Sequence, residues 1–384
     1  MDFSLSKSQK GIQKAAKEFA AGEFDKDLAA TLDKEGRFPE KIWKKAAQLG
    51  LVGVHLGGDC ANNLMLTDHV LVAQALCAKD SGFGTAVLNA GRGAECLFLA
   101  GNEKIKDRFL YPVLGGSKIC ALAFQEAGCD PDFLDIRATA VQEEETLVLN
   151  GEKIYVLNAD NADFFIVLCR IFSVEEPKAK ISMVIVEKDF KGILISPKGE
   201  KLGTRMSPLA DITFSDVMVP VSNIVGNPGN GLSIASKFLS IDRISLAAMA
   251  VGIAKGALDR SLVHTKMRKQ FNTVIAAFEV TQHKLADMAI KIRKAELLTF
   301  EAAWHIDQGN FEPHHSAMAL STAAKIAVDV ADEAVQLLGG YGYMTEYEVE
   351  RFYRDAKAIE ISHPSGPWLK NIVAKKVLGK IKKT

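Results

Sequence analysis

The chain has 384 residues, with 47 Lys and Arg against 47 Asp and Glu, so its formal net charge is zero. That balance argues against a general electrostatic binder of nucleic acid or membrane surface, which needs an excess of positive charge. Hydrophobic residues make up 48% of the chain; this excludes dominant disorder, and the absence of an apolar run of about 18 residues predicts no membrane span.

The first zone, Leu5 to about Gly116, has helical periodicity. Ile12, Ala15, Ala16, Phe19 and Ala20 recur at helical spacing, as do Ile42, Ala46, Ala47 and Leu51. Pro39 suits the first turn of the helix carrying Trp43, and Gly50 suits its end. Val70–Leu76 and Ile105–Val113 continue the pattern. From about Cys120 to Val219 the chain reads as strands, with Ala138–Val141, Phe164–Cys169, Ile181–Val186, Ile212–Phe214 and Val217–Val219 as short runs. Leu147–Leu149 and Lys153–Leu157 flank Asn150-Gly151, which predicts a tight hairpin turn. Several short strands at this spacing suggest an antiparallel barrel or sandwich. The turn-rich segment Pro220–Gly231 is a linker, and helical periodicity returns over roughly 232–268, 276–308 and 313–338. The expected organisation is an N-terminal helical domain over 1–119, a central β domain over 120–229 and a C-terminal helical bundle over 230–384.

Six cysteines without C-x-x-C spacing read as reduced, buried thiols rather than as zinc ligands or a disulfide framework. Met1–Leu5 has no basic segment followed by an apolar run, so no signal peptide is expected and a cytoplasmic location is. No phosphate-binding Walker loop, G-x-G-x-x-G, H-E-x-x-H or Gly-x-Ser-x-Gly motif is present. His314-His315 follows a Glu-Pro turn at a helix start and reads as a pair of solvent-exposed loop histidines, with no metal site expected.

Four motifs occur in an informative order: Phe124-Gln125-Glu126-Ala127-Gly128; Asn150-Gly151-Glu152-Lys153-Ile154-Tyr155-Val156-Leu157-Asn158; Arg268-Lys269-Gln270-Phe271 with Gln282–Met288; and Ala334–Tyr343 with Glu350–Lys357. With the order helices, β domain, helical bundle, they resemble the acyl-CoA dehydrogenase family over essentially the whole chain. The resemblance implies a mainly α fold with a central β domain: an N-terminal helical domain, a β-barrel middle domain and a C-terminal four-helix bundle. It implies FAD as cofactor, an acyl-CoA substrate, an electron-transfer flavoprotein as acceptor, and a homo-oligomer, tetramer or dimer, with a hetero-oligomer as the alternative.

The same resemblance assigns residues. Leu122, Phe124, Gln125 and Pro131 line the flavin and its pyrophosphate, with Tyr155 and Leu157 against the ring. Arg268, Gln336, Gly339 and Gly340 clasp the FAD of a neighbouring subunit, where Arg268 offers a planar fork to pyrophosphate and the Gly pair allows close backbone approach; Phe271, Glu279 and, near the adenine side, Ser365 are further cofactor-binding candidates. The family's usual catalytic Glu is replaced: counting from Arg354 puts His363 at that position, followed by Pro364 and Ser365. Some members carry the base just before an Arg in the first bundle helix, and in Leu239-Ser240-Ile241-Asp242-Arg243 that residue is Asp242. Asp242 and His363 are therefore the candidate bases, and Ser240 and Arg243 the candidate substrate contacts. Further departures are Pro131 for a Ser, Tyr155 and Leu157 for a Trp and a Thr, Asn272 for a Gly and Glu279 for a Gln.

The first functional expectation is α-proton abstraction with β-hydride transfer to flavin N5. The second keeps the flavin and changes the reaction, to a lyase-like or reductase step on a cyclic or carboxylated acyl-CoA. The third is a degenerate, non-catalytic subunit that completes a partner's FAD site.

Overall fold

A computed structural model describes residues 4–56, 65–130, 132–173, 179–196, 199–362 and 366–379. Pro131, His363 and Ser365 lie outside the described residues.

The N-terminal helices are α1 (Lys7–Glu23), α2 (Lys26–Glu35), α3 (Glu40–Gln48), α4 (Leu66–Lys79), α5 (Ser81–Asn89), α6 (Ala94–Ala100), α7 (Glu103–Ile105) and α8 (Tyr111–Leu114), the last two joined through a π-helical Lys106–Leu110. Local chemistry sets several of their starts. Ser6 accepts from the backbone of Gln9 while Gln9 reaches back to Ser6, a reciprocal cap, and Asp25 accepts from Leu28 N at 2.8 Å to open α2. Pro39 stands one place before the first residue of α3, at its N-cap.

The middle of the chain forms β1 (Cys120–Ala123), β2 (Thr139–Glu143), β3 (Thr146–Leu157), β4 (Phe164–Phe172), β5 (Lys180–Glu187), β6 (Ile193–Ile195) and β7 (Leu209–Pro220). They make one curled seven-stranded sheet in the order β1-β4-β2-β3-β7-β6, with β5 on β4. The sheet is mixed rather than antiparallel throughout, because β4 pairs in parallel with both β1 and β2. The expected hairpin at Asn150-Gly151 is also corrected. β3 runs straight through these residues, and the register against β7 shifts between Leu149 and Gly151, a bulge. Gly151 has φ 142°, and a Cβ there would meet Ala138 Cα at 2.7 Å. The glycine thus serves a close backbone approach within the sheet. The reversal comes earlier, at Glu144-Glu145, where Glu144 takes φ 52°.

The C-terminal part contains α9 (Gly231–Met267), a small hairpin of β8 (Lys269–Gln270) and β9 (Thr273–Val274), α10 (Glu279–Asp307), α11 (Pro313–Leu338), α12 (Val349–Ile361) and α13 (Pro367–Leu378). No helix among the described residues is long and apolar enough to cross a membrane.

Two apolar cores meet along α9. Its first turns, with Ile234, Ala235, Phe238 and Leu239, belong to the core of the sheet, and Phe238 packs edge-on against Phe124 with ring centres 6.0 Å apart. From Ile241 onward α9 belongs to the core shared by the N-terminal helices and the bundle. The junction falls at Ser240–Asp242, where buried polar groups interrupt an otherwise apolar helix.

Candidate active site

A charged side chain inside a core must find a partner, since an isolated buried ion is expensive. Asp242 is buried on α9 and finds Arg92, in the turn between α5 and α6. The contact is bidentate: Arg92 Nε donates to Asp242 Oδ1 at 2.6 Å and Nη2 donates to Oδ2 at 2.8 Å. Burial pushes the Arg92 guanidinium down, and the charge and hydrogen bonds of Asp242 more than reverse this, leaving it above its ordinary value. Arg243 is buried on the same turn of α9, where burial lowers it to about 10 against the pull of Asp242. Its Nε has no hydrogen-bond partner among the described residues.

Arg92 opens onto a cavity of about 570 Å3 between the sheet and the helical domains. Leu122, Phe124 and Gln125 at the end of β1, with Ile154, Tyr155 and Leu157 of β3, form the sheet wall. Leu239 of α9 and Ala358, Ile361 and Ser362 at the end of α12 contribute from the bundle. Lys201–Thr204, Arg354 and Lys357 add a basic border. Burial lowers Lys201 to about 8, and its Nζ donates to Ser207 O. Arg354 is held by Asp33 at 2.8 Å and Glu350 at 3.2 Å, so much of the local charge is already matched.

The sheet wall is fixed from behind by a buried ion pair. Lys153 Nζ donates to Glu126 Oε1 at 2.6 Å, Leu168 O at 2.6 Å and Phe124 O at 3.2 Å. Glu126 also accepts from the backbone of Arg137 at 2.6 Å and Ala138 at 3.0 Å. The pair pins the segment bearing Phe124 and Gln125. Tyr155 has φ 55° and its backbone N–H donates to Asp211 Oδ1 at 3.0 Å, leaving the side chain 69% exposed beside the cavity. A non-glycine residue in the left-handed region is uncommon, and such strain concentrates at binding sites. The Gln125 side-chain oxygen is buried with no hydrogen-bond partner among the described residues. Apolar walls, an aromatic ring and two lining residues, Gln125 and Asn89, each with an acceptor unsatisfied among the described residues, suit a flat heteroaromatic ring carrying N–H donors, as the flavin does.

A second cavity of about 520 Å3 joins Arg268, Gln270, Gln336, Gly339, Gly340 and Tyr341 on an outer face. Arg268 ends α9, and its guanidinium carbon lies 5.5 Å from the centre of the Tyr341 ring. Gly339 caps α11 at φ 61° and ψ −135°, a conformation that excludes side chains, and a Cβ at Gly339 or Gly340 would meet nothing within 4 Å. The exposed cation and bare backbone fit an anionic group approaching from outside.

The structure therefore gathers Leu122, Phe124, Gln125, Tyr155 and Leu157 at one cavity and Arg268, Gln336, Gly339 and Gly340 at another. Phe271 is 89% exposed at the β8–β9 turn and Glu279 is exposed at the start of α10, both outside the cavity linings. Ser240, Asp242 and Arg243 do not line the first cavity either: all three are buried, the Ser240 hydroxyl donates to Ser236 O at 3.2 Å, and Asp242 reaches the cavity only through Arg92. Sequence reasoning missed Arg92, Lys201, Arg354 and Lys357. An arginine between the apolar runs Ala86–Leu88 and Cys96–Ala100 is the one signal that marks Arg92 in the sequence.

Comparison with known proteins completes the description. The acyl-CoA dehydrogenase N-terminal domain matches residues 6–117, the middle domain 120–217 and the C-terminal domain 229–378. The chain belongs to the acyl-CoA dehydrogenase family. It is 34% identical over 387 residues to the short-chain-specific acyl-CoA dehydrogenase of Clostridium acetobutylicum, covering 98% of this chain and 100% of that one. The butyryl-CoA dehydrogenase structure from Megasphaera elsdenii matches with a TM-score of 0.92 and 30% identity, over 98% of this chain and 100% of the other. A chain from a structure of the electron transferring flavoprotein of Acidaminococcus fermentans, studied for flavin-based electron bifurcation, matches with a TM-score of 0.91 and 31% identity over 99% of this chain and 100% of the other. The protein is thus an oxidoreductase of the family that oxidises or reduces CoA thioesters with FAD.

Proposed function

We propose that this acyl-CoA dehydrogenase family member desaturates an acyl-CoA thioester between Cα and Cβ, with Asp242 or His363 taking the α-proton. Bound FAD supplies the hydride acceptor for the β-hydrogen. The observation that carries the reading is the buried Asp242 carboxylate held by Arg92, which itself lines a cavity whose other wall suits a flavin. Arg92 uses one lone pair on each carboxylate oxygen, and a carboxylate has about four such sites, so capacity to accept a proton remains. α12 ends at the border of the same cavity just before His363 in the sequence, and His363, not being a proline, retains a main-chain N–H that the family resemblance assigns to the thioester oxygen. Leu122, Phe124, Gln125, Tyr155 and Leu157 receive the flavin ring, and Arg243 receives the CoA chain. Arg268, Gln336, Gly339 and Gly340 hold the FAD of a neighbouring subunit, which requires a homodimer or homotetramer. An electron-transfer flavoprotein reoxidises the cofactor.

The test is the visible absorption spectrum of the purified protein with its flavin-to-chain ratio, followed by anaerobic addition of straight-chain, cyclic and carboxylated acyl-CoAs. Stoichiometric flavin bleached by a saturated acyl-CoA supports the reading. Asp242→Asn and His363→Asn then identify the base, whose loss lowers turnover by about 10²- to 10⁴-fold. Wild-type turnover in the double variant refutes both assignments. A second reading, a subunit that completes a partner's site without turnover of its own, is favoured by the engagement of both Asp242 oxygens with Arg92. A protein that stays colourless with added FAD and co-purifies with a paralogous chain would replace the first reading by the second.

A further inference from the structure

The turn between α10 and α11 gathers three imidazoles and a carboxylate that flavin and thioester chemistry leave unused. Glu301 and His305 are four residues apart and so share one face of α10. His315 stands in the first turn of α11 and is carried back onto that face by the short loop between the helices. One donor atom each from Glu301, His305 and His315 lies within 4.8 Å of the others. The His305 and His315 rings stack at 3.7 Å with 22° between their planes, and His314 adds a third ring 4.0 Å from His315. The Asn310 amide lies 3.2 Å from His305 Nδ1 and orients that ring. His314 and His315 are half-buried rather than solvent-exposed loop residues; the His315 Nδ1 is buried with no hydrogen-bond partner among the described residues, while the His314 Nδ1 lies 3.5 Å from Glu312.

We propose that Glu301, His305 and His315 bind one divalent transition-metal ion of the zinc class, clamping the α10–α11 turn. Two imidazole nitrogens and one carboxylate oxygen make a donor set suited to zinc, nickel or copper, whereas calcium and magnesium take oxygen donors. A tetrahedral ion with bonds of about 2.0–2.2 Å needs its donors drawn somewhat closer together, with the stacked His305 and His315 rings turned so that their nitrogens converge and the exposed Glu301 side chain rotated towards them. The fourth position is left to water. Such a clamp acts beyond the turn. Asp307, at the end of α10, accepts from the backbone of Leu66 at 2.7 Å and Thr67 at 3.1 Å and so caps α4, which packs along α9.

The test titrates the chelator-treated, FAD-loaded protein with zinc chloride by calorimetry and with cobalt(II) by visible absorption. The expected result is one ion per chain, a four-coordinate cobalt spectrum, and a thermal midpoint that rises with the logarithm of free zinc once the site is saturated. Glu301→Gln, at an exposed position, weakens zinc binding by at least about tenfold, His315→Ala abolishes the cobalt spectrum, and His283→Ala, on another exposed turn of α10, changes neither. Absence of saturable binding at millimolar zinc overturns the proposal. So does undiminished binding in both Glu301→Gln and His315→Ala.

Discussion

Removing either partner of the Arg92–Asp242 contact separates its structural from its catalytic part. The Asp242 side chain is 4% exposed and that of Arg92 19%, so the pair is screened little by solvent. Arg92→Met leaves a buried carboxylate facing apolar surroundings, a change that costs about 3–5 kcal/mol when no other cation is near. Arg243 lies alongside and keeps some compensating charge, so the lower end, about 3 kcal/mol, is expected. At roughly 2–4 °C per kcal/mol for domains smaller than this chain, the thermal midpoint should fall by about 6 °C at fixed protein and FAD concentration. Asp242→Asn removes the counter-charge of two buried arginines and should cost a similar amount. The double variant Arg92→Met/Asp242→Asn should lose less than the sum, with a coupling of about 1.5–3 kcal/mol. Circular dichroism melts of the four proteins measure the cycle, and stopped-flow flavin bleaching measures the chemical step. If Asp242 is the base, Asp242→Asn slows bleaching far more than its stability loss accounts for. Additive single effects below about 1 kcal/mol would show that the buried ion-pair argument is wrong.

Three other outcomes are expected. Lys153→Met leaves Glu126 without its cation and two carbonyls without their donor, so a loss of about 3–5 kcal/mol and weaker flavin retention are expected in melts and in flavin-to-chain ratios after gel filtration. Burial raises Asp355 to about 6 against the hydrogen bonds from Ser81 and the Thr204 backbone, so the native state holds this proton more tightly than the unfolded state. Its contribution is complete below the unfolded value of 3.8 and is lost as pH rises through about 6, on the order of 3 kcal/mol, so the wild type should gain stability over Asp355→Asn as pH falls from about 6 to 4; parallel pH profiles would contradict this. Arg268→Ala should release FAD and loosen subunit association relative to wild type more at low salt than at high, measured by flavin content and sedimentation, because the lost contact is exposed and electrostatic and salt already screens it in the wild type.

Much of the fold is legible because its signals are local. Roughly 232–268 and 313–338 emerge as Gly231–Met267 and Pro313–Leu338, since apolar residues recur at helical spacing along both and Pro313 is tolerated in a first turn. The strand runs at 164–169 and 181–186 fall within β4 and β5, buried on both faces. What fails is non-local. Asn150-Gly151 carries turn chemistry yet stays in a strand, because Asn150 exchanges hydrogen bonds with Asp216 across the sheet at 3.0 and 2.8 Å. The same exchange carries β7 through Ser215-Asp216, which the sequence reads as a break between two strands, with Asp216 at φ 50°. The first cavity's flavin-side residues come from motif resemblance, whereas Arg92 and Asp242 lie 150 positions apart and only the packing of two cores joins them. His305, likewise, has no sequence neighbour that announces its stack with His315.

Gly252 and Gly256 of α9 add a constraint on how such an enzyme diversifies. A Cβ on Gly252 would meet Gln74 O at 2.7 Å, and one on Gly256 would meet Ala78 O at 2.4 Å, so α4 and α9 touch backbone to backbone. Helices interlocked this closely cannot slide or rotate past one another without losing contact along their length. The α9 turn that bears Asp242 is thereby held as a fixed reference, and a change in acyl-group preference has to come from exchanging side chains and loops around it. Adaptation in this chain is thus a matter of redecorating a rigid frame, and a graft of cavity-lining residues from a relative should transfer preference without re-engineering the helices.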